Sequence, residues 1–172
     1  MFDDLVKRML SAWGREKQRI ANEVINRIAS SEDKSSQAAW AGYLILQNGS
    51  ANCIYDFVGI LSRLGPSVIR DCVVQALQAN GGTQYTTDDY WFALVRALGY
   101  LCRQGHTDEF LPLIMMMSRN PKSISIREAA VYALADIGDE SANIRLKQMA
   151  EKDLSPIIRE VAQESLEEVE AE

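Results

Sequence analysis

Histidine is nearly absent: His106 is the only one in 172 residues. That single residue leaves little room for a Ser–His–acid or Cys–His–acid enzyme, because each needs an imidazole base beside its nucleophile. Cysteine is also scarce. Cys53, Cys72 and Cys102 are odd in number and widely spaced, which excludes a disulfide framework and a zinc finger. Each lies among apolar neighbours at helical spacing, as a buried reduced thiol would. With 10 Gly and 4 Pro the chain has too few breakers for many short strands joined by turns. It has no run of about 18 apolar residues, so no membrane span is expected. The glycine-rich phosphate cradles G-x-x-x-x-G-K-[ST] and G-x-G-x-x-G are missing too. The expectation is a protein without a cofactor, a bound metal or a catalytic centre.

What is present is the balance of a folded domain: 47% hydrophobic and 24% charged residues. The net charge of −6 is uneven. Residues 1–27 hold 6 basic and 4 acidic side chains, 28–138 hold 8 and 10, and 139–172 hold 4 and 10. Neutralising a phosphate backbone needs clustered Lys and Arg. Lys7, Arg8, Arg15, Lys17, Arg19 and Arg27 lie together only near the start, so nucleic acid is not an expected partner. The opening segment lacks a basic start followed by an apolar stretch, and reads as an amphipathic helix rather than a signal peptide. Asp3 and Asp4 argue against a membrane-surface role for it. A cytoplasmic location is the corresponding expectation.

Apolar periodicity predicts helices near 2–13, 15–30, 34–48, 51–64, 66–80, 87–104, 107–118, 123–138 and 140–170, the last split before Pro156. Gly14, Gly49, Gly65, Gly105 and Gly138 fall at predicted ends. Thr107, Ser123 and Ser155 are the predicted N-caps, whose side chains would accept from free backbone N–H groups. One helix pattern recurs five times, opening at Ser36, Arg70, Trp91, Arg127 and Arg159. Its fourth, seventh, eighth and eleventh columns are small or apolar. The seventh, for instance, holds Gly42, Ala76, Ala97, Ala133 and Ser165. Steps of three, one and three residues keep these columns on one face, and the small seventh residue invites close approach of a neighbouring helix.

The copies open 34, 21, 36 and 32 residues apart. Three gaps suit one helix pair per unit, which signals a solenoid. The 21-residue gap is too short for a pair and contains the turn-rich stretch at 80–89. These features resemble HEAT-type repeats, in particular the short subclass associated with phycobilisome lyase subunits. The carrying residues are Arg70 with Ala76-Leu77, Arg127 with Ala133-Leu134-Ala135-Asp136-Ile137-Gly138, and Arg159 with Leu166. The resemblance is clearest over 122–170, extends through 66–104, and thins over 34–64, where Ser36 replaces the opening Arg. It implies an all-α superhelix of about nine to ten helices in one repeat domain. Residues 1–30, which the resemblance does not cover, read as the cap that a solenoid needs, with half-arrays at 31–80 and 87–170 around the irregularity at 80–89. It further implies that Arg70, Arg127 and Arg159 form a structural ladder, each paired with a carboxylate of an adjoining repeat.

Candidate chemistry is thin. Cys102 and His106 are four residues apart, but Gly105 interrupts the helix between them and a metal needs three or four ligands. Asp88-Asp89 and Asp108-Glu109 open helices, where carboxylates complement the dipole. Met115-Met116-Met117 spreads around its helix, so two are expected to pack and one to be exposed. The notable cluster follows the short gap: Tyr85, Tyr90, Trp91 and Phe92. Phe92 occupies a column otherwise held by Gln37, Asp71, Glu128 and Glu160, hence an outward one. Arg96 and Tyr132 share the next outward column with Gln75 and Glu164. Aromatics with Arg anchor protein interfaces. Tyr90, Phe92, Arg96, Tyr132 and Gln75 are therefore the candidate partner-binding residues; the other reading of the cluster at 85–92 is that the break in the array re-aims this helix and buries its aromatics to plug the gap. The function expected is a protein-binding scaffold without enzymatic activity. The alternative implied by the repeat subclass is a chromophore-lyase-type subunit or another accessory factor to an enzyme.

Overall fold

The computed structural model describes residues 1–47, 62–80 and 88–171. Among these residues the secondary structure is helical throughout. Nine α-helices are described: α1 Phe2–Ser11, α2 Gly14–Ala29, α3 Lys34–Gln47, α4 Pro66–Asn80, α5 Asp88–Leu101, α6 Thr107–Met117, α7 Ile124–Ile137, α8 Glu140–Lys152 and α9 Pro156–Ala171. Most of the helix expected at 51–64 lies outside the described residues. Its end, Ser62–Leu64, is a 3₁₀ turn. Backbone contacts divide the chain into two compact units, Met1–Thr87 and Asp88–Glu172.

In the first unit, α1 buries Leu5, Val6 and Met9, and α2 buries Ile20, Val24, Ile25 and Ile28. Both helices pack on α3, which packs in turn on α4. Polar contacts fix these approaches: the Trp40 indole donates to Asp3 Oδ1 at 2.9 Å, and Arg63 donates to Asn22 Oδ1 at 2.7 Å. Trp13, inside the helix expected at 2–13, is 83% exposed, because α1 ends at Ser11, two residues before it.

In the second unit, α5, α7 and α9 lie side by side in one layer, with α6 and α8 packed against that layer. The central helix α7 therefore has neighbours on several sides. It buries Ile126, Ala129, Ala130, Val131, Ala133 and Leu134, so apolar residues run much of the way round it, as burial on several sides requires. The fourth and eighth columns of the repeat are core in all three layer helices: Leu94 and Leu98, Ala130 and Leu134, Ala162 and Leu166. Trp91, in the column held by Arg in three of the other copies, is 2% exposed and belongs to this core. Of the three methionines, Met117 is buried, Met115 half-buried and Met116 exposed.

The helix ends follow local chemistry. Ser123 Oγ accepts from Ile126 N at 3.2 Å to open α7, and Gly138 closes it in the left-handed region with φ 66°. Asp139 Oδ1 accepts from Ala142 N at 2.7 Å and opens α8. Thr107 does not cap α6 as expected. Its hydroxyl donates to the Cys102 carbonyl at 3.2 Å, which the kink at Gly105 (φ 97°) between α5 and α6 leaves within its reach. Ser155 is buried and directly precedes α9; its backbone N–H donates to Asp153 Oδ1 at 2.9 Å, and its carbonyl accepts from Arg159 N at 3.1 Å.

One contact sets the spacing inside the layer. A Cβ built at Gly99 of α5 would lie 2.9 Å from Ala133 Cβ and 3.1 Å from Ala133 Cα of α7. Backbone atoms cannot swing aside as a long side chain can. Overpacking of a filled core costs about 1–3 kcal/mol. Gly99→Val is therefore expected to lower the unfolding free energy by about 2 kcal/mol. Adding Ala133→Gly should return part of that loss, even though glycine itself costs a helix about 1 kcal/mol. Denaturant titrations of the two variants check this, and an unchanged midpoint for Gly99→Val would refute the close seam.

Candidate functional site

Outside the α5–α7 seam, side chains of the two helices meet on a half-exposed face. On α5, Phe92, Arg96, Tyr100 and Arg103 follow at steps of four, four and three, which places them in one stripe that runs into the turn after the helix. On α7, Glu128, Tyr132 and Asp136 do the same. The stripes interlock. The Phe92 and Tyr132 rings meet edge-on with centroids 6.2 Å apart. The Arg96 guanidinium lies 5.4 Å from the centre of the Tyr132 ring, within cation–π range. It also reaches Asp136 Oδ2 at 3.4 Å, and Arg103 approaches the other oxygen at 4.0 Å. The Tyr132 hydroxyl donates to Glu128 Oε1 at 3.4 Å.

Partial burial and the charges of Glu128 and Glu164 hold the Tyr132 phenol above its ordinary pKa, against the opposing effect of Arg96. The same stripe on α9 carries Glu160, Glu164 and Glu168, all exposed. The face thus grades from aromatic and cationic on α5, through mixed on α7, to acidic on α9.

Of the five residues expected to contact a partner, Phe92, Arg96 and Tyr132 are brought together here. The side chains of Tyr90 and Gln75 lie outside those described, as does residue Tyr85. Gln75 belongs to α4 of the first unit. Asp136, Arg103 and Glu128 complete the group and were not singled out from the sequence, although the four-residue steps on each helix mark them.

The three repeat arginines behave differently from one another. Arg127 is buried and makes a two-pronged ion pair with Asp153, Nε to Oδ2 at 3.0 Å and Nη2 to Oδ1 at 3.1 Å, with the side chains 10% and 7% exposed. Its Nη1 donates to the carbonyls of Asn120 at 2.8 Å and Ser123 at 3.3 Å. It therefore ties the loop before α7 to the loop before α9. Arg159 uses a backbone partner instead of a carboxylate, donating to the Asp153 carbonyl at 2.6 Å. Among the described residues Arg70 finds its pair on its own helix. It meets its chain neighbour Asp71 at 3.0 Å on a half-exposed surface, since both side chains leave α4 on the same outward side.

Other candidates separate. His106 stands edge-on to Phe110 with ring centres 6.4 Å apart. Cys102 is buried, and burial together with Asp139 pushes its thiol pKa up to about 11, which keeps it a protonated, unreactive thiol at neutral pH. Among the described residues no group of three or more His, Cys, Asp or Glu side chains could hold a metal ion, and no helix is long and apolar enough to cross a membrane.

Residues 83–167 match the family model described as HEAT repeats. Neither curated proteins nor solved structures provide a significant match.

Removing the carboxylate from Asp153 would leave the Arg127 guanidinium buried without a counter-charge. Breaking a buried pair from one side costs about 3–5 kcal/mol. Asp153→Ala is accordingly expected to lose stability in that range by denaturant titration, whereas Asp71→Ala, at the exposed Arg70 pair, should lose under about 1 kcal/mol. For Tyr132, a raised folded-state pKa means that the fold favours the neutral phenol. Stability is full below the ordinary tyrosine pKa and falls as pH rises through the folded value. An ultraviolet difference titration against Tyr132→Phe should place the Tyr132 midpoint above 10, and Arg96→Gln should move it higher still. A midpoint that falls on removing Arg96 would contradict the stacked geometry.

Proposed function

We propose that this chain, whose residues 83–167 match the HEAT-repeat family model, is a non-enzymatic protein-interaction module. The α5–α7 face is its partner-binding surface. The observation that carries this reading is the preassembled group of Phe92, Arg96 and Tyr132, half-exposed and ordered by mutual contacts. Aromatic and Arg side chains are the usual anchors of interfaces, and anchors already held in place lose less entropy on binding. Stacked helix pairs present such residues on a rigid surface. Glu160, Glu164 and Glu168 alongside favour a partner segment that carries basic side chains beside an apolar one. The setting is cytoplasmic, where the buried thiol of Cys102 stays reduced. The lyase-type alternative rests on the resemblance of the repeats alone.

Affinity capture from the native cell tests the reading. The wild-type chain should recover a stoichiometric protein partner. Phe92→Ala with Arg96→Ala should weaken that capture by about 10-fold or more, as loss of two anchors does, while far-ultraviolet circular dichroism stays unchanged. Equal capture by both forms, or no stoichiometric partner for the wild type, would sink it.

A further inference from the structure

A cavity of about 470 Å³ opens at the loop edge of the second unit, where the α6–α7 loop faces α8 and the start of the α8–α9 loop. Its charge is unexpected in a chain of net −6. Four cations line it, Arg119, Arg127, Arg145 and Lys152, against one carboxylate, Asp153. Arg145 and Lys152 are seven residues apart on α8, so they share one face of that helix, and Arg119 approaches from the opposite loop.

These cations are not equivalent. Arg127 is neutralised by Asp153, whose Oδ1 is also engaged by the backbone N–H of Ser155. The others are held by neutral groups. Arg145 donates through Nε to Ser118 Oγ at 2.8 Å, through Nη2 to the Ser118 carbonyl at 2.9 Å, and through Nη1 to Gln148 Oε1 at 3.3 Å. Arg119 donates to the Met115 carbonyl at 3.3 Å. Neutral acceptors orient a guanidinium without cancelling its charge. Among the described residues Arg119, Arg145 and Lys152 form no ion pair. Burial, then the nearby charge of Arg119, pull the Arg145 pKa below its ordinary value, with Asp153 partly opposing them. Three positive charges are therefore gathered around one cavity and left without a counter-ion of their own.

We propose that this cavity binds a phosphate group. The match is one of charge and donor count. An Arg fixed by three hydrogen bonds still has one N–H on each terminal nitrogen, Arg119 has further free donors, and Lys152 brings an ammonium. A doubly charged, multi-oxygen anion uses that set more fully than a single carboxylate, and forked guanidiniums suit its geometry. Pro121 and Leu154 in the lining, the latter 94% exposed, give apolar surface for the group that carries the phosphate. The site stands apart from the Phe92–Tyr132 group in its residues and in its chemistry.

The test uses the full chain, isotope-labelled for amide spectra, at ionic strength held constant with sodium chloride. The probes are inorganic phosphate and a short peptide with phosphoserine between leucines, with the serine and glutamate forms of that peptide as controls. Phosphate and the phosphopeptide are expected to shift the amides of Ser118–Asn120 and Lys152–Leu154. Arg119→Gln with Lys152→Gln should weaken both by about 10-fold or more, since each removes a charge-assisted contact, with no change in melting temperature. Arg119→Lys with Lys152→Arg keeps the charge and should keep most of the binding, which separates lost charge from lost fold. Tighter binding of the phosphopeptide than of inorganic phosphate identifies a phosphorylated protein as the source, and equal binding identifies free phosphate. The proposal is overturned by amides that do not move, by shifts that sodium chloride alone reproduces, by a glutamate peptide that binds as well as the phosphopeptide, or by a Gln variant that binds as well as the wild type.

Discussion

Two helix backbones can run as close as α5 and α7 only where one of them carries no side chain at the contact. Gly99 supplies that gap, and Ala133 fills it. Everything on the exposed side of the seam follows from this spacing. With the axes drawn together, Phe92 can rest its ring edge on Tyr132, and Arg96 can cover the same ring while reaching Asp136. A wider separation would leave each of these side chains to water. The seam also explains why α7 is apolar much of the way round: it contributes the core beneath, the contact with α5 and the contact with α9 at once.

The loop edge is governed by where positive charge is cancelled and where it is not. Arg127 and Asp153 are both nearly out of water, and each satisfies the other with two hydrogen bonds. Such a pair adds little net stability over an apolar one, but it is unforgiving of the loss of either partner, so it fixes the two loops in register. Arg145 lies in the same neighbourhood with only neutral acceptors. Its fixed position and uncancelled charge distinguish a group built to meet something from one built to close a joint.

The layer of repeated helices was legible in the sequence because packing repeats itself. The fourth and eighth columns, read as apolar at Leu94, Ala130, Ala162, Leu98, Leu134 and Leu166, are core in all three layer helices. The seventh column was legible in kind but not in register: Ala133 does face a neighbour closely, yet its partner is Gly99, two columns further along, because the helices cross with an offset that one sequence does not encode. The outward placement of Phe92, Arg96 and Tyr132 came from column position, while their meeting depended on that same offset. The cationic cavity was hidden by counting charge along the chain. Residues 139–172 sum to −6, but their acids on α9 point elsewhere, while Arg145 and Lys152 join Arg119 from a separate segment. The Thr107 cap failed because a hydroxyl has more than one acceptor within reach, and the kink at Gly105 offered the Cys102 carbonyl.

The pairing of Arg96 with Asp136 bears on the proposed covering of the α5–α7 face by a partner. With side chains 41% and 35% exposed, the pair is screened by water and contributes at most about 1 kcal/mol to the free chain. Stability alone gives little reason for a cation, two aromatics and an acid to share this spot. Covering changes the terms. A lone Arg96 buried under a partner would carry an uncompensated charge into a low-dielectric contact, whereas Arg96 already beside Asp136 and over the Tyr132 ring enters it partly neutralised. The same water exclusion strengthens both interactions as it removes the screening. A group that is indifferent in water and favourable when sealed has the energetic profile of an anchor, and it lies on helices whose spacing Gly99 has already fixed.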